Sequence, residues 1–550
     1  MSAAVDTDVL IVGAGPVGAT AALLCSRLGL RSIVVEKRER RQGPPKAHAL
    51  NPRSLEIYRA LGITRERLAH RALSREDGGL VRFVTALDGL ELGAIPYERQ
   101  DDAAFDATPS PLLNIPQPAL EDILLEQIAG RADIDLRRPE TWESATNERE
   151  RVVSTLSGRA GSRRIASRYL LACDGAESAV RKHCGIGMPG DARIEDRIMI
   201  HIEGDLRPIV GERAGVLHFI MDPAIAATLI AYDPASTHVL MHRYDSQRET
   251  ADAFTPQRCE AIVRHALGET ADFVIRHISP WTMTALVAER YRAGRVFLCG
   301  DAAHRFPPSG GLGLNSGVQD AHNLVWKLTA VEAGWSDAAL LDSYEPERKP
   351  VAAAYSAQSH GNAARMARLF SFVADAFRAC HGDRTAAERR LSSPENRARL
   401  AELVEIQKPH FDSFGLQLGF RYGDRDWTDH VSDFTPLLVP GARLPHAWIE
   451  IGGRRASTLD LVDPAAFALI LNDERKIWRD AFSATAAPVR VVALGTDFSD
   501  GSGMWTALVE AFGAQAILVR PDGHIACVAR DDGPESLARV KRTLARPVFE

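Results

Sequence analysis

No two of the seven cysteines form a C-x-x-C pair, and their number is odd. A disulfide framework and a cysteine-built zinc site are therefore excluded, and a reducing cytoplasm is the expected compartment. The 17 histidines include no H-E-x-x-H or similar ligand spacing, so no metal is expected. Apolar runs long enough to span a bilayer are missing. The first residues carry Asp6 and Asp8 and no basic cluster, which does not read as a signal peptide. Basic residues are not in excess: the formal net charge is −6, which gives no reason to expect nucleic acid or an anionic membrane as partner. Internal repeats and low-complexity tracts are also absent.

What is present fits an ordinary globular protein, with 45% hydrophobic and 25% charged residues. A chain of 550 residues exceeds one core, so two or three domains are expected. It opens with a buried-strand pattern, Asp8 to Gly13, followed by a helix from Pro16 to Leu28 and a second apolar run, Ser32 to Val35. Together these make a β-α-β unit. After a loop with Gly43, Pro44 and Pro45, Asn51-Pro52 reads as a helix N-cap followed by proline at the first helical position. Pro118 opens a further helix to Ala129. Strands are expected from about 140 to 172 and at Val296–Cys299, antiparallel sheet from about 190 to 285, and a long helix from about Val318 to Glu332. The segment from about 340 to 430 reads as mainly helical. Pro436, Pro440 and Pro445 mark a linker to a small α/β module, with Pro521-Asp522-Gly523 as a hairpin turn.

Gly13-Ala-Gly15-Pro16-Val-Gly18 matches G-x-G-x-x-G between a strand and a helix, and Glu36 follows Gly18 by eighteen residues. The first glycine permits the tight turn, the second lets the backbone approach a pyrophosphate, and the third lets helix and strand pack closely. Glu36 can accept a ribose 2′-OH and would repel a 2′-phosphate; Lys37 beside it is a further candidate cofactor contact. Such a site holds NAD or FAD. Two later stretches bear on the choice: Cys173-Asp174-Gly175 through Arg181, and Gly300-Asp301-Ala-Ala-His304 continuing through Pro307, Pro308, Gly310, Gly311, Gly313, Leu314 and Asn315.

These three motifs, in this order, resemble the single-component (class A) flavoprotein aromatic hydroxylases. The resemblance is to the branch containing 3-(3-hydroxyphenyl)propionate hydroxylase, 2,4-dichlorophenol monooxygenase and the aromatic polyketide hydroxylases. It implies an α/β fold: a glutathione-reductase-type FAD-binding Rossmann domain, an interleaved β-sheet substrate domain and a C-terminal thioredoxin-like domain. The expected bounds are 1–185 and 285–430 for the FAD domain with a helical extension, 186–284 with parts of 75–115 for the substrate domain, and 431–550 for the last. That last region lacks C-x-x-C and holds only Cys527, so disulfide chemistry is not implied.

The resemblance also implies FAD as cofactor, NADPH or NADH as transient reductant, O₂ and a small phenolic substrate, with hydroxylation by a C4a-hydroperoxyflavin. Asp301 is expected on the ribityl chain, and Gly313, Leu314 and Asn315 beside the isoalloxazine, where backbone N–H groups face developing negative charge. Asp174 is expected as a brace near the pyrophosphate, Gln117 at the ribityl or pyrophosphate, and Lys46 and Arg53 near phosphate oxygens. His48, on the segment passing the ring, is the candidate base for the phenolic proton, and Pro308 the loop residue at the catalytic edge. Tyr232 and His242 are weaker substrate candidates. A homodimer is an allowed assembly. Another flavin oxidoreductase (an epoxidase, a Baeyer–Villiger-type enzyme or a dehydrogenase) and an inactive flavin-fold binding protein stay open as alternatives.

Overall fold

Three apolar strands bring the three motifs to one edge. β1 (Thr7–Val12) lies between β2 (Ser32–Val35) and the strand Gly161–Ala172, parallel to both, and Val296–Leu298 runs parallel on the far side of Gly161–Ala172. Val9, Leu10 and Ile11 are fully buried because helices cover the sheet, as parallel strands require. In this register Val12, Ala172 and Leu298 are neighbours. The residues that follow them, Gly13, Cys173-Asp174 and Cys299 to Asp301, therefore emerge together at the carboxyl edge, where ligands bind in open α/β sheets. α1 (Pro16–Arg27) crosses from β1 to β2. The coordinates are a computed structural model, and they describe residues 4–40, 46–424 and 426–549. The expected Gly43-Pro44-Pro45 loop lies outside the described residues.

A second eight-stranded sheet is antiparallel except for one parallel junction, between Leu217–Ile220 and Leu80–Val84. It takes two strands, Leu80–Val84 and Glu91–Pro96, from early in the chain and the rest from 190 to 305. One face packs on the helix Pro256–Leu267 through Ile198, Leu229 and Leu240. The other, with Phe83, Tyr232 and Met241, faces the long helix Tyr344–Ala379. A short antiparallel pair joins β3 (Ala49–Leu50) to Leu113–Asn114, with Ala49 opposite Asn114. Then α2 (Pro52–Ala60) begins, capped by Asn51, whose Oδ1 accepts the Ser54 N–H at 2.9 Å. The helix after the glycine-rich loop spans Leu312–Glu332, longer than the sequence pattern indicated. Gly313 to Asn315 thus belong to its first turn.

The C-terminal region carries a four-stranded sheet. Phe467–Leu471 pairs parallel with Val489–Ala493 and antiparallel with Ala516–Val519, which pairs in turn with Ile525–Ala529. Pro521-Asp522-Gly523 makes the last turn. The proline-marked segment before this sheet is anchored, with Leu438 and Leu444 buried.

Several histidines are buried in these cores and are neutral. Burial, the leading cause in each, pushes His218, His238 and His524 down to about 4, and His322 and His410 to about 3. An unfolded histidine takes up a proton near pH 6.5. Between that value and the folded values the unfolded chain binds more protons, so stability is full above 6.5 and falls as the pH drops toward 4. Thermal melts at pH 7.5, 6 and 5 should show a progressively lower transition; a constant transition over that range contradicts the burial argument.

Candidate functional site

The carboxyl edge of the parallel sheet opens into a cavity of about 830 Å³ that continues along the inner face of the second sheet. Its first end is built for a dinucleotide. Gly13 has φ +102°, and a Cβ there would lie 2.3 Å from Cys173 O; a Cβ on Gly18 would lie 1.9 Å from Gly13 O. Only glycine allows this turn and this helix–strand approach. Gly15 caps α1, Pro16 is its first residue, and the first turn holds no acidic side chain, so its N–H groups and positive dipole end are open to an anion. The Glu36 carboxylate is held at the turn by the Ala14 N–H at 3.2 Å and the Arg38 N–H at 3.0 Å. Lys37, Lys46 and Gln117 also line this end.

Two carboxylates fit a polyhydroxylated cofactor because each keeps an oxygen to which no described residue donates. Asp174 accepts the Val180 N–H at Oδ2, at 3.1 Å, while its buried Oδ1 has no partner among the described residues. Asp301 faces the cavity and accepts no hydrogen bond from the described residues. Enclosure by protein raises its pKa, opposed by the charges of His304, Arg305 and Lys46. The buried Oδ1 of Asp174 is costly to leave without a donor, the Asp301 carboxylate is open to the cavity, and ribityl or ribose hydroxyls are donors of the right kind for both. The turn carrying Asp301 is rigidly supported. Asp320, fully buried, accepts the Gly300 N–H at 3.0 Å and Arg348 Nε at 2.8 Å, and pairs with His304 Nε2 at 2.7 Å. His304 is thus structural.

Pro308, Gly313 and Leu314 line the middle of the cavity, at the N-terminus of Leu312–Glu332, whose first turn also lacks acidic residues. Asn315 is placed differently. Its side chain is buried and stitches loops together, donating to Ala49 O at 2.9 Å and Gly311 O at 2.7 Å and accepting the Asn51 N–H at 3.0 Å.

Beyond this loop the walls become apolar and aromatic: Leu217, Phe219 and Met241 from the second sheet, Met366 and Phe370 from the long helix, and Phe411. His48 stands where the two ends meet. Its Nδ1 lies 3.0 Å from Asn114 Oδ1, and its ring packs 5.6 Å from Tyr97 and edge-on to Tyr232 at 6.0 Å. Burial lowers its pKa to about 4, opposed by the Asn114 bond, so the ring is neutral at physiological pH. Tyr97 and His410 also line the cavity, and sequence reasoning missed both. Glu195 forms a polar corner with Arg197 and Arg243, pairing with Arg243 at 3.2 Å.

Three expected contacts are corrected. Arg53 is only 4% exposed, and its guanidinium turns away from the cavity, to Glu56 at 3.3 Å and Asp522 O at 2.5 Å, because its face of α2 packs against the C-terminal region. His242 points to the opposite face of its strand: its neighbours Met241 and Arg243 line the cavity, while its own ring bonds Ile225 O and packs on Phe254. Tyr232 lies beneath His48, 2% exposed, with its hydroxyl unpartnered among the described residues, and is not part of the cavity wall.

Comparison with known proteins agrees with this geometry. Residues 6–359 match the FAD binding domain family, and residues 438–547 match the aromatic-ring hydroxylase C-terminal family. The chain is 29% identical to 2,4-dichlorophenol 6-monooxygenase of Cupriavidus pinatubonensis, over 99% of this chain and 98% of that enzyme. It is 32% identical to aklavinone 12-hydroxylase RdmE of Streptomyces purpurascens, over 95% of each. Among solved structures, the flavin-dependent monooxygenase PieE in complex with FAD and substrate superposes with a TM-score of 0.88 at 31% identity, covering 98% of this chain and 100% of that one. With an FAD cradle at one end of its cavity and an aromatic pocket at the other, the chain belongs to the FAD-dependent aromatic-ring hydroxylases.

Proposed function

We propose that this monooxygenase hydroxylates a phenolic ring, with His48 accepting the phenolic proton. The observation that carries the reading is a neutral histidine lining a cavity that joins the FAD cradle to an apolar aromatic pocket. FAD, when bound, takes electrons from NADH or NADPH and activates O₂ for transfer of one oxygen atom to the ring. Gly13, Gly15 and Pro16 would meet its pyrophosphate, Glu36 its adenosine ribose, and Asp301 its ribityl chain. Gln117, Asp174, Lys37 and Lys46 would contact or brace its polar length, and Pro308, Gly313 and Leu314 would border the ring. The sequence holds no second glycine-rich β-α-β fingerprint, which supports transient docking of the nicotinamide. The four-stranded C-terminal sheet supports a thioredoxin-like region without redox chemistry, since its one cysteine, Cys527, is buried and burial raises its pKa.

The pKa of His48 decides when the proton moves. A phenol has a pKa near 10 and His48 one of about 4, so complete transfer before reaction would cost about 8 kcal/mol. As the ring gains oxygen, however, the phenolic oxygen becomes a protonated carbonyl, which is strongly acidic. His48 therefore takes the proton as the carbon–oxygen bond forms, while the apolar walls exclude water and hold the ring.

A panel of phenols should contain compounds that accelerate NAD(P)H oxidation by the FAD-loaded enzyme and are hydroxylated; oxidation indifferent to every phenol would reject the reading. Glu36→Ala should weaken FAD binding by about 1–3 kcal/mol, the cost of a lost charged hydrogen bond. Unchanged affinity in a flavin titration would remove Glu36 from the site.

A further inference from the structure

His48 does not choose its own protonated nitrogen. β3 and Leu113–Asn114 pair antiparallel with Ala49 opposite Asn114, and the Ile115 N–H donates to His48 O at 2.6 Å, so the two side chains are locked side by side. Asn114 is 1% exposed. Its amide orientation is set by Nδ2, which donates to Gly78 O at 2.9 Å. That leaves Oδ1, an acceptor only, 3.0 Å from His48 Nδ1. An acceptor facing Nδ1 requires the proton to be there, and a neutral imidazole with Nδ1–H carries its lone pair on Nε2.

We propose that Asn114 is a positioning residue that fixes His48 as the Nδ1–H tautomer, making Nε2 the atom that receives the substrate's phenolic proton. The proposal rests on the reading of His48 given above. During the reaction the phenolic O–H bond breaks, its proton passes to Nε2, and its electron pair enters the new ring carbonyl. The resulting imidazolium keeps its Nδ1–H donated to Asn114, whose amide oxygen stabilises the positive charge without itself ionising. An aspartate here would instead form an ion pair and hold the ring protonated in advance. Among the described residues no such charge faces the ring. The ionisable groups packed against it are the phenols of Tyr97 and Tyr232, which burial keeps protonated, and burial and the Asn114 bond are the two influences on its own pKa.

The direct test is ¹⁵N NMR of the FAD-loaded enzyme labelled at histidine, with His48 identified by its loss in His48→Gln. The expected result is a proton on Nδ1 and a bare Nε2; a proton on Nε2 overturns the proposal, whatever the variants do. Asn114→Asp supplies a second readout. The native enzyme should show a flat kcat/KM for a neutral phenol between about pH 6 and 8, because His48 stays neutral throughout. In Asn114→Asp the carboxylate should raise the ring's pKa into that window, so that kcat/KM falls about fivefold or more from pH 8 to 6, with FAD content unchanged. Asn114→Leu should lower kcat at every pH with little change in KM. Flat, native-like kcat in Asn114→Asp overturns the proposal and leaves the role of His48 standing. Normal hydroxylation by His48→Gln overturns that role instead.

Discussion

His48→Ala should keep its FAD and lose hydroxylation of neutral phenols by about 10²–10⁴-fold, the usual worth of a positioned general base. NAD(P)H oxidation should continue, with hydrogen peroxide replacing the hydroxylated product as the fate of O₂. The reason lies in the timing of the proton. Without His48 the phenolic oxygen keeps its proton while the ring becomes cationic: Phe219 and Phe411 are apolar, Glu195 is paired with Arg197 and Arg243, and burial holds His410 at about 3, a weaker base than His48. The defect should shrink for phenols already ionised at the assay pH, since they have no proton to give. The measurement is product formed per NAD(P)H consumed, across phenols of graded acidity. A variant with native rate and native coupling on neutral phenols would move the base elsewhere; Tyr97, also on the wall, would then be first to examine.

The second large effect is expected outside the cavity lining, at Arg520. Its guanidinium is fully buried and spans two carboxylates: both nitrogens of the fork reach Glu347, at 2.8 and 2.9 Å, and Nε reaches Asp522 at 3.1 Å. Lys327 meets the same Glu347 at 2.8 Å. These charges hold Glu347 down to about 2 against burial, which by itself would raise it. Arg520→Ala leaves two buried carboxylates with Lys327 as the nearby cation, beside the Asn323 amide and a neutral His524, and breaking a buried pair in this way costs about 3–5 kcal/mol. Arg520→Lys should rescue little, because a single ammonium cannot serve both carboxylates in forked geometry. Denaturation of the FAD-loaded enzyme checks this; a loss below about 1 kcal/mol would mean that the cluster relaxes or hydrates. The same seam includes Arg443, which binds Glu56 of α2 at 2.8 Å, so it braces the segment that follows His48.

Much of the cofactor end was legible in the sequence because its signals are local. A glycine pattern between an apolar strand and a helix dictates its own geometry, and the register of three parallel strands then carries Gly13, Asp174 and Asp301 to one edge. The substrate end was less legible because it is assembled by pairing across the chain. Asn114 reaches His48 through a two-residue strand pair, and His410 arrives from a helix about 300 residues away in sequence from Asn114. A lone asparagine inside the apolar run Leu112 to Ile115 was the one local sign of a buried polar role. His242 was misread for want of strand parity, which no run of residues reveals until one face is known. Arg53 was misread because a basic residue opening a helix near a nucleotide fold suggests phosphate. Only the docking of the C-terminal region shows that Glu56 and Asp522 claim it.

The central claim, oxygen transfer from O₂ to a phenolic ring, is tested most directly by the mass of the product. FAD-loaded enzyme, NAD(P)H, a phenol that accelerates NAD(P)H oxidation, and isotopically labelled O₂ in ordinary water should yield a hydroxylated phenol carrying one labelled oxygen atom. A product free of label, whether oxygenated from water or only dehydrogenated, would contradict the account.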